Sequence, residues 1–269
     1  MKILDLKDAS NLKTKCAVSI GFFDGVHKAH EVILRSLVDT CKENNYKSVV
    51  ITFSDDILSL FKMSNNIMNL QDKLDAFSKI GIDYVLVLKT NDNFMNLTAD
   101  EFIKQYLQVI NCRCIVCGSD FSFAKNKEGN IKYIKNNTNY DVVLIDDIYD
   151  EENNKISSTY IRYLLSKGDI SKANKYLYSN FAINSSVISG KEIGRTIGFK
   201  TANLLINNQC KLLKHGVYFG KVVIDEKTYK AMINVGLNPT VSDSDNLKVE
   251  VHIYDFSLNI YKQTIHQRI

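Results

Sequence analysis

Five short apolar runs recur through the first two-thirds of the chain. They are Cys16–Ile20 (CAVSI), Ser48–Phe53 (SVVITF), Tyr84–Leu88 (YVLVL), Cys114–Cys117 (CIVC) and Val142–Ile145 (VVLI). Continuous runs of this length suit strands buried on both faces. The stretches between them carry helical periodicity. His30, Ile33, Leu34, Leu37, Val38 and Cys41 share one helical face. The segment LTADEFIKQYLQVI opens on a capping box, Thr98 with Glu101, and continues with Phe102, Tyr106, Val109 and Ile110. Strand and helix in alternation imply an α/β fold, a parallel doubly wound sheet, with ligands beyond the carboxyl ends of its strands.

The pattern changes near Leu177–Phe181. VYFGKVVI, TYKAMINV and KVEVHIYDF alternate with period two and read as antiparallel strands of a small β-barrel. A chain of 269 residues accommodates both parts. The expected domains are 1–178 and 179–269.

A net charge of +4 is too mild to imply nucleic acid, while small phosphorylated ligands remain compatible with it. No leader-like pattern opens the chain and no run approaches the eighteen apolar residues of a membrane span. The expectation is a cytoplasmic protein with no membrane partner. Its six cysteines are then reduced. Cys112, Cys114 and Cys117 lie in CRCIVCG, which reads as a buried strand rather than a metal site.

The densest chemistry lies at Ser19–Leu34, SIGFFDGVHKAHEVIL. Gly21 and Gly25 allow a tight turn after the first strand and leave room for an anion. The helix then begins near His27, where its first N–H groups favour phosphate. His27 and His30, three apart, leave the same side of the first turn and can donate hydrogen bonds to a phosphoryl group. A second such helix start is KISSTYIRYLLSKG. Its hydroxyl residues Ser157, Ser158 and Thr159 precede an apolar face of Ile161, Leu164 and Leu165. Ser157 or Ser158 suits an N-cap, Gly168 suits a C-terminal stop, and Arg162 stands one turn in.

GFFDGVHKAH resembles the GxFDGxHxGH signature of nucleotidylyltransferases of the bacterial FAD synthase family, with Ala29 in place of a glycine. ISSTYIR matches that family's ISSTxIR motif. Gly118, Asp120, Phe121 and Phe123 of CGSDFSFA match its flavin and adenine stretch, with Ala124 for a glycine. The resemblance implies ATP binding by Gly21, Phe23, Asp24, Gly25, Ser157, Ser158, Thr159 and Arg162. It implies catalytic roles for His27 and His30, and flavin binding by Asp120, Phe121 and Phe123. The implied reaction is adenylyl transfer from ATP to FMN, giving FAD and pyrophosphate with Mg²⁺.

The second part resembles riboflavin kinase. Gly190, Gly194, Arg195, Gly198, Phe199, Thr201, Ala202, Asn203 and Leu204 follow the family pattern, with Lys200 for its proline. HGVYFG, INVGLNPT with Pro239, and VEVHIYDF are similar to further family segments. The resemblance gives ATP binding to Gly198, Thr201 and Asn203, Mg²⁺ coordination to Thr201 and Asn203, and the role of general base to Glu250. The sequence ends at Ile269, ahead of the family's further strand, R-x-E-x-K-F segment and terminal helix. Two enzymes in one chain, riboflavin to FMN and FMN to FAD, is the leading expectation. An adenylyltransferase with an inactive barrel and a non-catalytic flavin-binding protein are the alternatives.

Overall fold

The computed structural model describes residues 1–54, 65–89, 92–188, 201–237, 247–256, 260 and 263–269. They form two compact units, one of residues 1–64 with 69–157, the other of residues 65–68 with 158–269.

The first unit is built on β1 (Lys2–Leu4), β2 (Cys16–Ile20), β3 (Lys47–Phe53), β4 (Tyr84–Leu88), β5 (Cys112–Gly118) and β8 (Asp141–Ile145). Every pairing in this sheet is parallel, in the order β1-β4-β3-β2-β5-β8. The expected α/β sheet is therefore present. The short strand β1 pairs Lys2–Leu4 with Tyr84–Leu86 and was not legible. After β2 the chain builds β3 and β4 on one side, then crosses to β5 and β8 on the other. The carboxyl end of β2 is thus a topological switch point, the place where open α/β sheets bind ligands.

Among the helices, α1 is Leu6–Ala9, α2 is Lys28–Asn44, α3 is Leu70–Ile80, α4 is Asp92–Met95, α5 is Ala99–Phe102 and α6 is Ile131–Asn137. The capping box of Thr98 and Glu101 forms at the start of α5, which runs on as a π-helical turn, Ile103–Gln108. A small hairpin pairs β6 (Ser122–Phe123) with β7 (Gly129–Asn130). Cys112, Cys114 and Cys117 are buried in β5, and burial pushes the thiols of Cys114 and Cys117 up to about 11. No cluster of three or more His, Cys, Asp or Glu side chains suited to a metal occurs among the described residues.

In the second unit six antiparallel strands close into a barrel, in the order β10-β13-β12-β11-β14-β9. The strands are β9 (Ala182–Ile188), β10 (Thr201–Leu204), β11 (Gly216–Ile224), β12 (Lys227–Leu237), β13 (Leu247–Ile253) and β14 (Thr264–Arg268). Val249, Val251 and Ile253 alternate inward as their spacing predicts, and meet Ala231, Ile233 and Val235 in the interior. The strand β14 pairs with both β11 and β9 and so closes the barrel before the sequence ends.

Helices α7 (Ser158–Lys167) and α8 (Ile170–Tyr176) pack with this barrel. The Asn174 amide donates to the Ile269 carbonyl at 2.8 Å, and the Lys214 amide donates to the Leu165 carbonyl at 3.4 Å. Gly168 ends α7 with φ +82°, the left-handed geometry its residue type suits. No described helix is long and apolar enough to cross a membrane.

Candidate functional site

The loop after β2 is held from both sides. The Gly21 amide donates to the Ile51 carbonyl of β3 at 3.0 Å. The Phe22 carbonyl accepts from Thr52 Oγ1 at 3.4 Å and from Lys73 Nζ at 3.3 Å. A single 3₁₀ turn, Asp24–Val26, follows. Gly25 has φ +78°, and Phe23 and Val26 also take left-handed φ values, +53° and +39°. For a β-branched residue such as Val26 that conformation is a real outlier, costing on the order of 1–3 kcal/mol, and such strain gathers at ligand clamps. Phe23, Asp24 and Gly25 are buried in this turn, and the Phe23 ring meets Phe77 of α3 edge-on at 5.6 Å.

His27 is the N-cap of α2 and uses no side-chain cap hydrogen bond. The expected pairing of the two histidines is realised as a stack, with ring centroids 3.7 Å apart and planes 19° from parallel. The Phe23 ring meets His30 edge-on, with centroids 5.2 Å apart. Burial, then His27, then Lys73 hold the His30 pKa well below its ordinary value. His30 is therefore neutral at pH 7, able to donate one N–H without carrying charge. Its Nδ1 is buried with no hydrogen-bond partner among the described residues.

β5 lies beside β2 in the sheet, so its carboxyl end belongs to the same switch point. Gly118 at that end faces Ile33 of α2, 3.4 Å from where a Cβ would stand, an ordinary contact distance. Beyond it, Asp120 is exposed and pairs with Lys155 at 3.5 Å. Lys155 also pairs with Asp147 at 2.8 Å, and Ser119 Oγ donates to the same carboxylate at 2.9 Å. Lys155 and Ser119 together hold the Asp147 carboxyl below its usual range. Phe121 is half-buried. Phe123 is a core residue, 7% exposed, set against Phe102 at 5.1 Å and Phe121 at 5.5 Å. A Cβ at Gly129 would collide with the Phe123 ring at 2.4 Å, which accounts for the glycine across the hairpin.

Ser157 ends the first unit, and Ser158, Thr159 and Arg162 lie in α7 of the second. Thr159 is exposed and the other three are half-buried. Arg162 Nε donates to the Asn65 carbonyl at 3.1 Å. Ile161, Leu164 and Leu165 form the buried face, as their spacing predicts.

On the barrel, register assembles what single strands could not show. Asn203 of β10 pairs with Glu250 of β13, and Glu250 pairs on its other side with Asn234 of β12. In the neighbouring row Thr201 pairs with His252. Directly opposed residues share a face. Thr201, Asn203 and Glu250 therefore occupy one patch on the outside of the barrel, with Asn234 and His252 as members that sequence reasoning missed. Lys248, two residues before Glu250 on the same face, places Nζ 2.7 Å from its Oε1. Gly190, Gly194, Arg195, Gly198, Phe199, Lys200 and Pro239 lie outside the described residues.

The family model for FAD synthetase matches residues 9–160, and that for riboflavin kinase matches residues 177–269. A protein of Buchnera aphidicola subsp. Schizaphis graminum, named bifunctional riboflavin kinase/FMN adenylyltransferase, is 34% identical over 98% of this chain and 88% of its own length. One of the same name from Listeria monocytogenes is 31% identical, over 91% and 79%. A third, from Escherichia coli K12, is 32% identical, over 93% and 82%. A crystal structure described as a macrolide-efflux protein from Streptococcus pneumoniae superposes with a TM-score of 0.86 at 29% identity, covering 100% of this chain and 90% of that one.

Proposed function

The chain belongs to the bifunctional riboflavin kinase/FMN adenylyltransferase family and serves FAD biosynthesis through both activities, and we propose that the histidine loop and the barrel patch are its two active sites. The observation that carries the first is the stacked His27–His30 pair at the carboxyl end of β2. In adenylyl transfer a phosphate oxygen of FMN attacks the α-phosphorus of ATP. A new P–O bond forms, the α–β bridging bond breaks, and pyrophosphate leaves. No protein nucleophile is needed, so the protein contributes positioning and charge stabilisation.

His27 and His30 donate N–H groups to phosphoryl oxygens. Gly21, Phe23, Asp24 and Gly25 shape the turn that receives them. Ser157, Ser158, Thr159 and Arg162 bind ATP phosphates, a role their residue types and place at a helix start suit. The half-buried Phe121 offers a face for a flat ring, Phe123 supports it from the core, and Asp120 borders it. On this reading the functional boundary falls between residues 178 and 179. The packing division at 157/158 differs because α7 and α8 rest on the barrel while α7 carries the phosphate motif.

In the kinase, Glu250 removes the proton from the riboflavin hydroxyl as that oxygen attacks the γ-phosphorus of ATP, and ADP leaves. Gly198 is assigned to the nucleotide. Thr201 and Asn203, both hard-oxygen donors on one side of β10 and across from His252 and Glu250, fit a Mg²⁺ ion. Bound there, the ion would offset phosphate charge. Six free cysteines accord with a reducing cytoplasm.

The test is incubation with ATP, Mg²⁺ and either riboflavin or FMN, with FMN and FAD separated by chromatography. His27→Ala and His30→Ala are each expected to abolish FAD formation from FMN while leaving riboflavin phosphorylation in place. Full FAD turnover in either variant would overturn the phosphate role.

A further inference from the structure

Lys73 is fully buried, and it is the largest such side chain among the described residues. Burying an ammonium group costs several kcal/mol unless partners offset it, so lysine is almost never found there for packing alone. Leu74, Ala76, Phe77 and Ile80 of the same helix fill the core as ordinary apolar residues. A methionine at position 73 would satisfy that pattern.

The place where Lys73 ends is specific. Its Nζ lies 3.3 Å from the Phe22 carbonyl oxygen and 3.8 Å from the centroid of the Phe22 ring. One turn later Phe77 packs against Phe23. The helix α3 thus grips consecutive residues of the loop that delivers His27 and His30. That loop holds two non-glycine residues in left-handed geometry, and such a backbone persists only when its surroundings over-determine it.

We propose that Lys73 is a positioning residue for adenylyl transfer: from beneath the loop it fixes the Phe22 carbonyl and sets a positive charge behind the phosphate-binding histidines. It does not reach the substrate. The proposal rests on the adenylyltransferase reading of this loop. Electrostatic coupling to His30 accords with it, since Lys73 is among the groups that keep that imidazole neutral. A misplacement of reacting groups by about 1 Å costs on the order of 100-fold in rate. The fixed charge acts in a site where charge stabilisation is a large contributor.

The decisive variants are Lys73→Met, which keeps the length without the charge, and Lys73→Arg, which keeps the charge. Wild-type conversion of FMN to FAD is measured first. If the wild type makes no FAD, the underlying reading fails and this inference falls with it. Given wild-type activity, Lys73→Met is expected to lower kcat for FAD formation roughly 10- to 100-fold, with KM for ATP and FMN changed less than kcat. Riboflavin phosphorylation in the same sample should be unchanged, and circular dichroism should show the variant folded at the assay temperature. Lys73→Arg should recover part of the lost kcat. Full FAD synthesis by Lys73→Met overturns the inference, as does a loss of FAD formation matched by an equal loss of riboflavin phosphorylation. Should Lys73→Met not fold, Lys73→Gln is compared with Lys73→Arg, and equal kcat in the two refutes a role for the charge.

Discussion

Replacing Glu250 by Gln separates catalysis from stability because the two contributions differ widely in size. The carboxylate touches Lys248 at 2.7 Å, with side chains 43% and 26% exposed for Lys and Glu. Solvent screens such a pair, so its loss costs about 0–1 kcal/mol. For a unit of this size that moves Tm by less than about 8 °C. The amide keeps the shape of the acid, and the buried neighbours Val249 and Val251 lie on the other face of the strand. As a general base the same residue is worth roughly 100- to 10,000-fold. At 1.36 kcal/mol per factor of ten that is about 3–5 kcal/mol of barrier. The expected result is therefore a chain that folds, makes FAD from supplied FMN at the wild-type rate, and makes FMN from riboflavin at least about 100-fold more slowly. Chromatographic product analysis with each flavin offered separately reads both activities. Unchanged riboflavin phosphorylation would remove Glu250 as the base. A matched fall in both activities would refute the division into two sites.

The two aromatic residues after β5 should respond differently to truncation. Phe123→Ala, at a site 7% exposed, is expected to cost about 3–5 kcal/mol in a urea unfolding experiment. Phe121→Ala should cost less, and should raise KM for FMN in FAD synthesis; an unchanged KM would leave Phe121 with packing alone. The low His30 pKa makes a second, thermodynamic prediction. Unfolded, the imidazole titrates near its ordinary value of about 6.5, so below that pH the unfolded chain binds the extra proton first. Stability is then fully present above about pH 6.5 and is lost as pH falls, by up to about 1.4 kcal/mol per pH unit, until the folded group also titrates. His30→Gln should flatten the dependence between about pH 6.5 and pH 5, and a slope identical to wild type would show that burial is not holding this group neutral.

The sheet was legible because strands buried on both faces must be apolar throughout, and such runs announce themselves. The expected Cys16–Ile20 and Tyr84–Leu88 agree with β2 and β4 to the residue. Three barrel strands, β11, β12 and β13, were legible through alternation, which one buried face enforces, while β9, β10 and β14 were not read from the sequence. β1 escaped because three residues carry no period. The histidine pair was readable since a spacing of three fixes a shared helical side regardless of tertiary context. The patch of Thr201, Asn203, Glu250, Asn234 and His252 was only half readable. Which residues oppose one another depends on inter-strand register, and register depends on the whole barrel.

Lys73 was invisible for a different reason. In NLQDKLDAFSKI the lysine reads as solvated, as nearly every lysine is. The helix turns it inward, where its Nζ meets the Phe22 carbonyl and ring, and Phe22 stands in a loop whose Phe23 and Val26 take left-handed geometry. Neither residue type signals positive φ. The unreadable lysine and the unreadable backbone are therefore one feature seen from two elements. Substituting either should disturb the histidines by the same route. Val26→Gly relieves the φ penalty but empties a buried position, and Lys73→Met takes the buried Nζ from the Phe22 carbonyl, so in both variants adenylyl transfer is expected to slow more than riboflavin phosphorylation in the same sample.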